Sequence, residues 1–567
     1  MTWNEQNKAN SIMDVLEGTV EEWYDQVDGL LKASDFIPGN YEYSINVAYA
    51  NSGEFDEGGQ THVDIGCDRF KIISLDNSYI TLEMEYTITK PAIAAAAGGH
   101  TYTRPKAYYI GFKSAFDAID QYRIYSNSDL ILTQNHANYE GFLQYMALSD
   151  SFKENSELYA TYDKVQAMSE DVPGVYVVNG FSDDGTADAA KTITVPIDLR
   201  IPLNMFLMLG NLKWYPGFFG KLTLEIYPSY KNLVVLPVYA DVVDLPTKKL
   251  TAAANPTLGE LADFMQGSVL TTAGTTVTTN LFGFSQINTP CICVVDDTTS
   301  GHAKAAVMGT FTCNKSKTKK CHIRLAETVV RMDIYNQILA RFVNKPMLFP
   351  IQTIISKDFS GAMTIGANAN INITMTNALN HCNSMFVVFK DSLNQTTCFE
   401  NPLLKTWQIN IDGKYFPREA YSTYNDKRNM NLFLDATNFN GNGLFSVPND
   451  IYHSLQPFVM TRVYTGENSG TKTLVCNPKD RSNFAIGVPF CEDDTFQAGI
   501  HSGGTVQVEL IAQRDNMCVQ RYQTMPTALY VEDCILKLRA VKPSGEPQIS
   551  FTHATPEQLL ATAVVAN

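Results

Sequence analysis

Alternation of apolar and polar residues is the dominant pattern along the chain. Ile80, Leu82, Met84 and Tyr86 alternate with Thr81, Glu83 and Glu85, a period of two that turns one face inward and the other to water. The alternation returns at Leu222, Leu224 and Ile226, at Ile371, Ile373 and Met375, and at Val506, Val508 and Leu510. Gly, Asn, Asp and Pro turns separate these runs, which predicts antiparallel sandwiches and not βαβ units. Three stretches depart from the β pattern. Ile12, Leu16, Val20, Trp23, Val27 and Leu30 stand at helical spacing behind Ser11 and Asp14 as a cap, which predicts an amphipathic helix or arm within residues 1–35. Ser149 to Met168 predicts a helix inserted between strands. Thr555-Pro556-Glu557 has the cap and first-turn chemistry of a short helix through Leu559, Leu560 and Val564, the start of a C-terminal tail.

Short segments recur in the same order in the two halves. Phe112-Lys113-Ser114, after the apolar Tyr108 to Ile110, resembles Phe389-Lys390-Asp391 after Phe386 to Val388. Ile201-Pro202-Leu203 resembles Val488-Pro489-Phe490, and Gly220-x-Leu222-x-Leu224-Glu225-Ile226 resembles Gly504-x-Val506-x-Val508-Glu509-Leu510. The strand at Leu82 matches the one at Ile373, and the four offsets agree within 14 residues. Two copies of one β domain are therefore expected, residues 36–340 and 341–567. The first copy closes either with Lys231 to Val243, leaving residues 245–325 as a long excursion, or with Leu325 to Ile334. Within the excursion the Thr-, Ala- and Gly-rich Thr251 to Thr279 reads as exposed loop, and Lys315 to Lys320 as a basic turn.

Composition narrows the function. A chain of 567 residues with 45% apolar and 18% charged residues is globular and large enough for several cores. Its 59 acidic and 43 basic residues leave a net charge of −16, the wrong sign for neutralising phosphates, so no direct sequence-specific nucleic-acid binding is expected. No apolar run approaches the ~20 residues of a membrane span, and no early stretch reads as a secretory signal. Eleven cysteines, ten of them from Cys291 onward, include Cys382, Cys491 and Cys534 in or beside apolar strand-like runs; this suits buried thiols and synthesis in a reducing host-cell compartment.

Catalytic signatures are missing. Cys291-x-Cys293, and Cys313 with Cys321 and His322, lack a CxxC pair or a second spaced His pair. No phosphate loop, HExxH or GxSxG occurs. The acidic clusters at Asp183-Asp184, Asp296-Asp297 and Glu492-Asp493-Asp494 have no EF-hand order and read as solvated loops. No catalytic, cofactor-binding or metal residue is assigned, and no cofactor. The aromatic run from Leu209 to Gly220 reads as a turn between strands whose rings fill a core or a subunit contact; only Lys213 and Lys221 add positive charge, which weighs against a base-stacking platform.

A strand ending in Phe-Lys-Ser, an Ile-Pro-Leu strand and a Gly-x-Leu-x-Leu-Glu-Ile strand, repeated once, resemble the double jelly-roll major capsid proteins of icosahedral DNA viruses, and most closely those of virophages and polinton-like viruses. The segments that carry the likeness are Tyr109 to Asp129, Ile193 to Tyr230, Leu348 to Asp391, Trp407 to Tyr415, Phe484 to Ala512 and Tyr530 to Ala540. This resemblance implies an all-β fold of two tandem eight-stranded antiparallel jelly rolls, with an N-terminal helix and helical or loop insertions. It also implies a homotrimer forming a pseudo-hexagonal capsomer, contacts with neighbouring capsomers and with penton and minor capsid proteins, a place in the virion, and a structural role without enzymatic activity. Residues 245–325 would then project outward or clasp neighbours, while the stripe at Ile12 to Trp23 and the tail after Thr555 would face inward. The Ser149 to Met168 insertion and the long central excursion depart from the pattern. Two other readings stay open from the residues alone: a β-sandwich carbohydrate-active enzyme, whose paired carboxylates can be far apart in sequence, and a viral receptor-binding spike.

Overall fold

The computed structural model describes elements between residues 42 and 554. Outside the description lie residues 1–41, 148–174, 180–186, 239–249, 252–268, 297–304, 438–460, 464–472, 476–482, 491–499, 515–524, 542–547 and 555–567, with a few shorter stretches. The expected helices at residues 11–31, at Ser149 to Met168 and after Thr555 therefore fall outside the described residues.

Eight strands build the first barrel: β1 (Glu42–Ala50), β2 (Thr61–Ile65), β3 (Lys71–Lys90), β4 (Ile119–Ser126), β5 (Asp129–Asn135), β6 (Lys191–Pro202), β7 (Leu222–Pro228) and β8 (Thr312–Val329). Eight more build the second: β9 (Met347–Asp358), β10 (Asn370–Ala378), β11 (Cys382–Lys390), β12 (Leu404–Ile411), β13 (Lys414–Tyr421), β14 (Ile486–Pro489), β15 (Thr505–Arg514) and β16 (Met525–Val541). In the first barrel the sheet orders are β1-β8-β3-β6 and β2-β7-β4-β5; in the second they are β9-β16-β11-β14 and β10-β15-β12-β13. Adding eight to each label of the first barrel gives the second. Every one of these pairings is antiparallel. Eight strands in two facing sheets, connected in this order, are a jelly roll, and the chain has two; Trp214–Pro216 adds a fifth strand beside β3 in the first and Gln548–Ala554 a fifth beside β16 in the second.

The alternation that announced the strands also fills the core. Ile80, Leu82, Met84, Tyr86 and Ile88 of β3 are buried, as are Leu222, Leu224 and Ile226 of β7 and Val508 and Leu510 of β15. Trp407 of β12 is fully buried, and its indole N–H donates to Asn429 Oδ1 at 3.0 Å, so the ring enters the core without an orphaned donor. The same apolar cluster continues from one barrel into the other.

Two of the four sequence landmarks sit on equivalent strands. Ile201-Pro202 ends β6 and Val488-Pro489 ends β14; Leu222 to Ile226 lies on β7 and Val506 to Leu510 on β15. The acid inside the second pair repeats in place. Glu225 stands opposite Arg123 of β4 and accepts from Tyr125 Oη at 2.9 Å, while Glu509 stands opposite Asn410 of β12 and accepts from its Nδ2 at 2.9 Å. The other two landmarks match unlike strands. Leu82 belongs to β3 but Ile373 to β10, and Phe112 follows a strand of an insertion, Ala107–Gly111, whereas Phe389 lies in β11.

Two expectations for the excursion change. Lys315 to Lys320 forms part of strand β8, because β3 supplies acids opposite it: Lys320 pairs with Glu83 at 3.1 Å and Lys319 with Glu85. The Thr-rich stretch contains a strand pair, Val269–Thr272 with Thr275–Thr278, whose β-branched residues favour extended backbone. Val234–Val238 does not close the first barrel. It joins Ala107–Gly111, Val175–Asn179 and Ser285–Gln286 in a separate four-stranded sheet.

Candidate assembly site: the seam and the two ends

The connections divide the molecule into two unlike ends. In both jelly rolls, second-to-third, fourth-to-fifth and sixth-to-seventh strand turns share one end, and the other connections share the opposite end. In the first barrel the long insertions, residues 91–118, 136–190 and 229–311, all leave from the second end, and the corresponding 422–485 insertion of the second barrel does the same. Strands from these insertions pair across barrels: Leu250 lies opposite Leu474. Leu250 opposite Leu474, Gln286 on Thr396 and Lys113 on Asn483 each join an insertion-end connection of the first barrel to an insertion-end connection of the second, so both barrels point the same way. One end is short turns and the other is built up from insertions.

The aromatic run lies at the short-turn end and is core. It forms helix α2 (Leu207–Leu212), a three-residue strand and a 3-10 turn between β6 and β7, with Tyr215, Phe218 and Phe219 buried against one another. A Cβ on Gly217 would collide with the Asp68 carbonyl, so this turn needs glycine where it crosses the β2–β3 connection.

Between the barrels runs a seam of buried polar groups. Gln286 Oε1 accepts from Thr396 N at 2.9 Å and Thr397 N at 3.0 Å, and its Nε2 donates to Asn394 O at 3.0 Å. Asn232 Nδ2 donates to Asp117 O at 2.8 Å and its Oδ1 accepts from Thr396 Oγ1. Helix α1 (Ala137–Ala147) is the wedge: Asn138 Nδ2 donates to Thr396 O at 2.8 Å, while Tyr139 and Phe142 pack on Phe399 with centroids 6.1 and 5.1 Å apart. Gln134 of β5 reaches the edge of β9, donating to Ile354 O at 2.7 Å and accepting from Ile354 N at 3.4 Å. Its carboxamide thereby imitates a neighbouring strand and covers an edge that would otherwise be open.

The two Phe-Lys motifs meet here in spite of their unlike strands. Lys113 Nζ crosses to Asn483 Oδ1 at 2.9 Å. Lys390 Nζ lies 5.7 Å over the Tyr139 ring and 3.1 Å from Asp358 Oδ1, which Thr527 Oγ1 also serves. Both lysines are buried. Burial works against the Lys390 charge, but Tyr139 and Asp358 outweigh it and hold its pKa above the ordinary lysine value. Burial likewise opposes the Asp358 charge, and the Thr527 hydroxyl and Lys390 overcome it, leaving that carboxyl below its usual range. The ion pair joins β11 to β9 within the second barrel, and the Tyr139 ring of α1 laid against Lys390 is what carries it to the first.

Edges outside the seam are managed by charge. β1 lies opposite only Cys321 to Val329 of β8, so among the described residues the Thr312 to Lys320 half has no strand on its outer side. Lys315, Lys317, Lys319 and Lys320 occupy that half, and lysines on an open edge oppose pairing with another chain.

No family model matches the sequence, and no curated protein matches it. Solved structures show distant similarity. The mavirus major capsid protein is 12% identical with a TM-score of 0.45, covering 91% of this chain and 92% of that one. The Sputnik virophage structure is 10% identical with a TM-score of 0.44, covering 92% and 90%. The Faustovirus major capsid protein is 9% identical with a TM-score of 0.40, covering 87% and 90%.

A polar groove of about 380 Å³ crosses the Gln134 bridge, lined by Asp120, Asn135, His136, Thr353 and Ser356 among others. Its lining carries one carboxylate, Asp120, which Lys231 approaches at 3.4 Å. The acids Asp117, against α1, and Glu140, on α1, are buried. Of the described cysteines, Cys291, Cys313, Cys321, Cys382 and Cys398 are buried and Cys67 is partly buried. Burial pushes Cys67 and Cys321 up to about 12, which keeps them as unreactive thiols. Among the described residues no three His, Cys, Asp or Glu side chains converge as a metal site, and no helix is long and apolar enough to cross a membrane.

Proposed function

We propose that the chain is the major capsid protein of an icosahedral virus, and that three copies form a capsomer of six-sided outline. The observation that carries this reading is the repeated strand order: two barrels of one topology point the same way across a seam of buried hydrogen bonds. Two like barrels in each of three chains fill six lattice positions, and closed three-fold symmetry then requires only one kind of contact between chains. The short-turn end faces the interior and the insertion end faces outward, where long loops tolerate variation without disturbing the wall. Neighbouring capsomers, penton and minor capsid proteins are the partners, and the virion is the location. With a net charge of −16 the subunit repels packaged nucleic acid, so cargo contacts fall to another protein.

Sedimentation of the purified full chain tests the stoichiometry. A single species of three times 63.0 kDa is expected; a stable monomer at assembly concentrations contradicts the proposal.

A further inference from the structure

Phe70 and Met332 are exposed apolar residues at the short-turn end of the first barrel; Phe70 packs on Tyr335, and Met332 stands three positions before Tyr335 on a helical turn, which puts the two on one face. Their side chains are 46% and 52% exposed, while Tyr335 and Phe218 are buried beside them; the rings of Phe70 and Tyr335, and of Tyr335 and Phe218, each meet edge-on at 5.4 Å. Elsewhere at this end, Leu130 follows the β4–β5 turn and Tyr415 follows the β12–β13 turn, and both are exposed.

The chain enters the fold beside the patch. Glu42 lies opposite Val329, and Val329 lies opposite Lys71, the residue after Phe70. With neighbouring strands ~4.8 Å apart, the start of β1 is roughly 10 Å from the patch. Residues 31–41 separate Leu30 from that point, a span of up to roughly 36 Å when extended. The segment before them has the complementary surface: Ile12, Leu16, Val20, Trp23, Val27 and Leu30 at helical spacing. Its charge discriminates between occupants. Residues 11–31 contain Asp14, Glu17, Glu21, Glu22, Asp25 and Asp28 and no Lys or Arg, so anionic lipid repels the segment, whereas membrane-lying helices carry basic residues. At the short-turn end Lys213 and Lys221 offer the opposite charge, the latter also paired with Asp64.

We infer that residues 11–31 dock their apolar stripe on the Phe70–Met332 patch of the same chain, as a helix laid on the short-turn end of the first barrel. The inference stands without the capsid reading, because it concerns one chain.

Hydrogen exchange on the full chain, diluted below the concentration at which it associates, tests it. The amides of residues 11–31 should exchange about tenfold or more slowly than in a free peptide of that sequence. The double variant Phe70→Asp/Met332→Asp should bring them to the free-peptide rate, with β3 and β16 still protected as a folding control. Leu16→Asp/Trp23→Asp should do the same from the other side. Free-peptide exchange in the unaltered chain overturns the inference. So does protection that survives the patch variant, that arises only on self-association, or that arises only on adding vesicles of anionic lipid. The sedimentation result for the capsomer is independent of each of these outcomes.

Discussion

Replacing Gln286 with alanine is expected to split thermal unfolding of the chain into two transitions. The substitution leaves the N–H groups of Thr396 and Thr397 and the carbonyl of Asn394 without their partner inside the seam. Unsatisfied buried groups cost about 1–3 kcal/mol each; Thr397 is buried and Thr396 half-buried, whereas Asn394 is exposed and its carbonyl can turn to water, so the loss is roughly 1–4 kcal/mol and falls on the contact between barrels, not on either core. Gln286→Glu should lose less, since its carboxylate still accepts from both amides and forfeits only the donor to Asn394. Differential scanning calorimetry reads both effects. One cooperative transition at an unchanged midpoint in Gln286→Ala would show that the seam does not couple the barrels.

Alkaline pH should loosen the first barrel through two acids. Glu140 of α1 is fully buried; Tyr122 Oη donates to it at 2.9 Å and Leu207 N at 3.0 Å. Burial outweighs these donors and pushes its pKa up from 4.5 to about 8. Asp117, on the 3-10 turn against α1, is pushed from 3.8 to about 7, with burial opposed by the Ser114 N–H and the Lys113 charge. Both folded values lie above the unfolded ones, so each acid's contribution is fully present below about pH 4, is lost as pH rises, and levels off above about pH 8. The melting temperature should fall across that window. Glu140→Gln, which can keep the acceptor for Leu207 N and turn its amide toward Tyr122 Oη, should flatten most of the decline and melt several degrees above the unaltered chain at about pH 9. A parallel decline in both proteins would mean that Glu140 is not the group responsible. Because α1 also carries Asn138 and Tyr139, the same titration should weaken the seam.

How much of this was legible in the sequence follows from the range of the forces involved. Strand alternation is local, so β3, β7, β10 and β15 were readable where one face meets the core. The duplication was readable from β6 and β7 against β14 and β15, where a proline ends one strand and a glycine and an acid mark the next. It misled at Leu82 and Ile373, since apolar strands of unlike position obey the same pattern. Helix α1 gave no amphipathic signal because Ala137, Tyr139, Phe142, Leu143, Tyr145 and Met146 are all buried, wedged between two barrels. Helix α3 (Lys427–Thr437), capped by Asp426, whose Oδ1 accepts from Arg428 N at 3.0 Å, was not read from the sequence. The seam was invisible. Gln134, Asn138, Asn232 and Gln286 are ordinary polar residues with partners 220, 258, 164 and 110 positions away, and no spacing rule reaches that far.

A cryo-electron microscopy reconstruction of the purified particle addresses the central claim most directly. The account predicts six upright barrels around one three-fold axis, with every insertion on the same side. Two barrels in an isolated chain, or barrels pointing in opposite directions within one subunit, would contradict it.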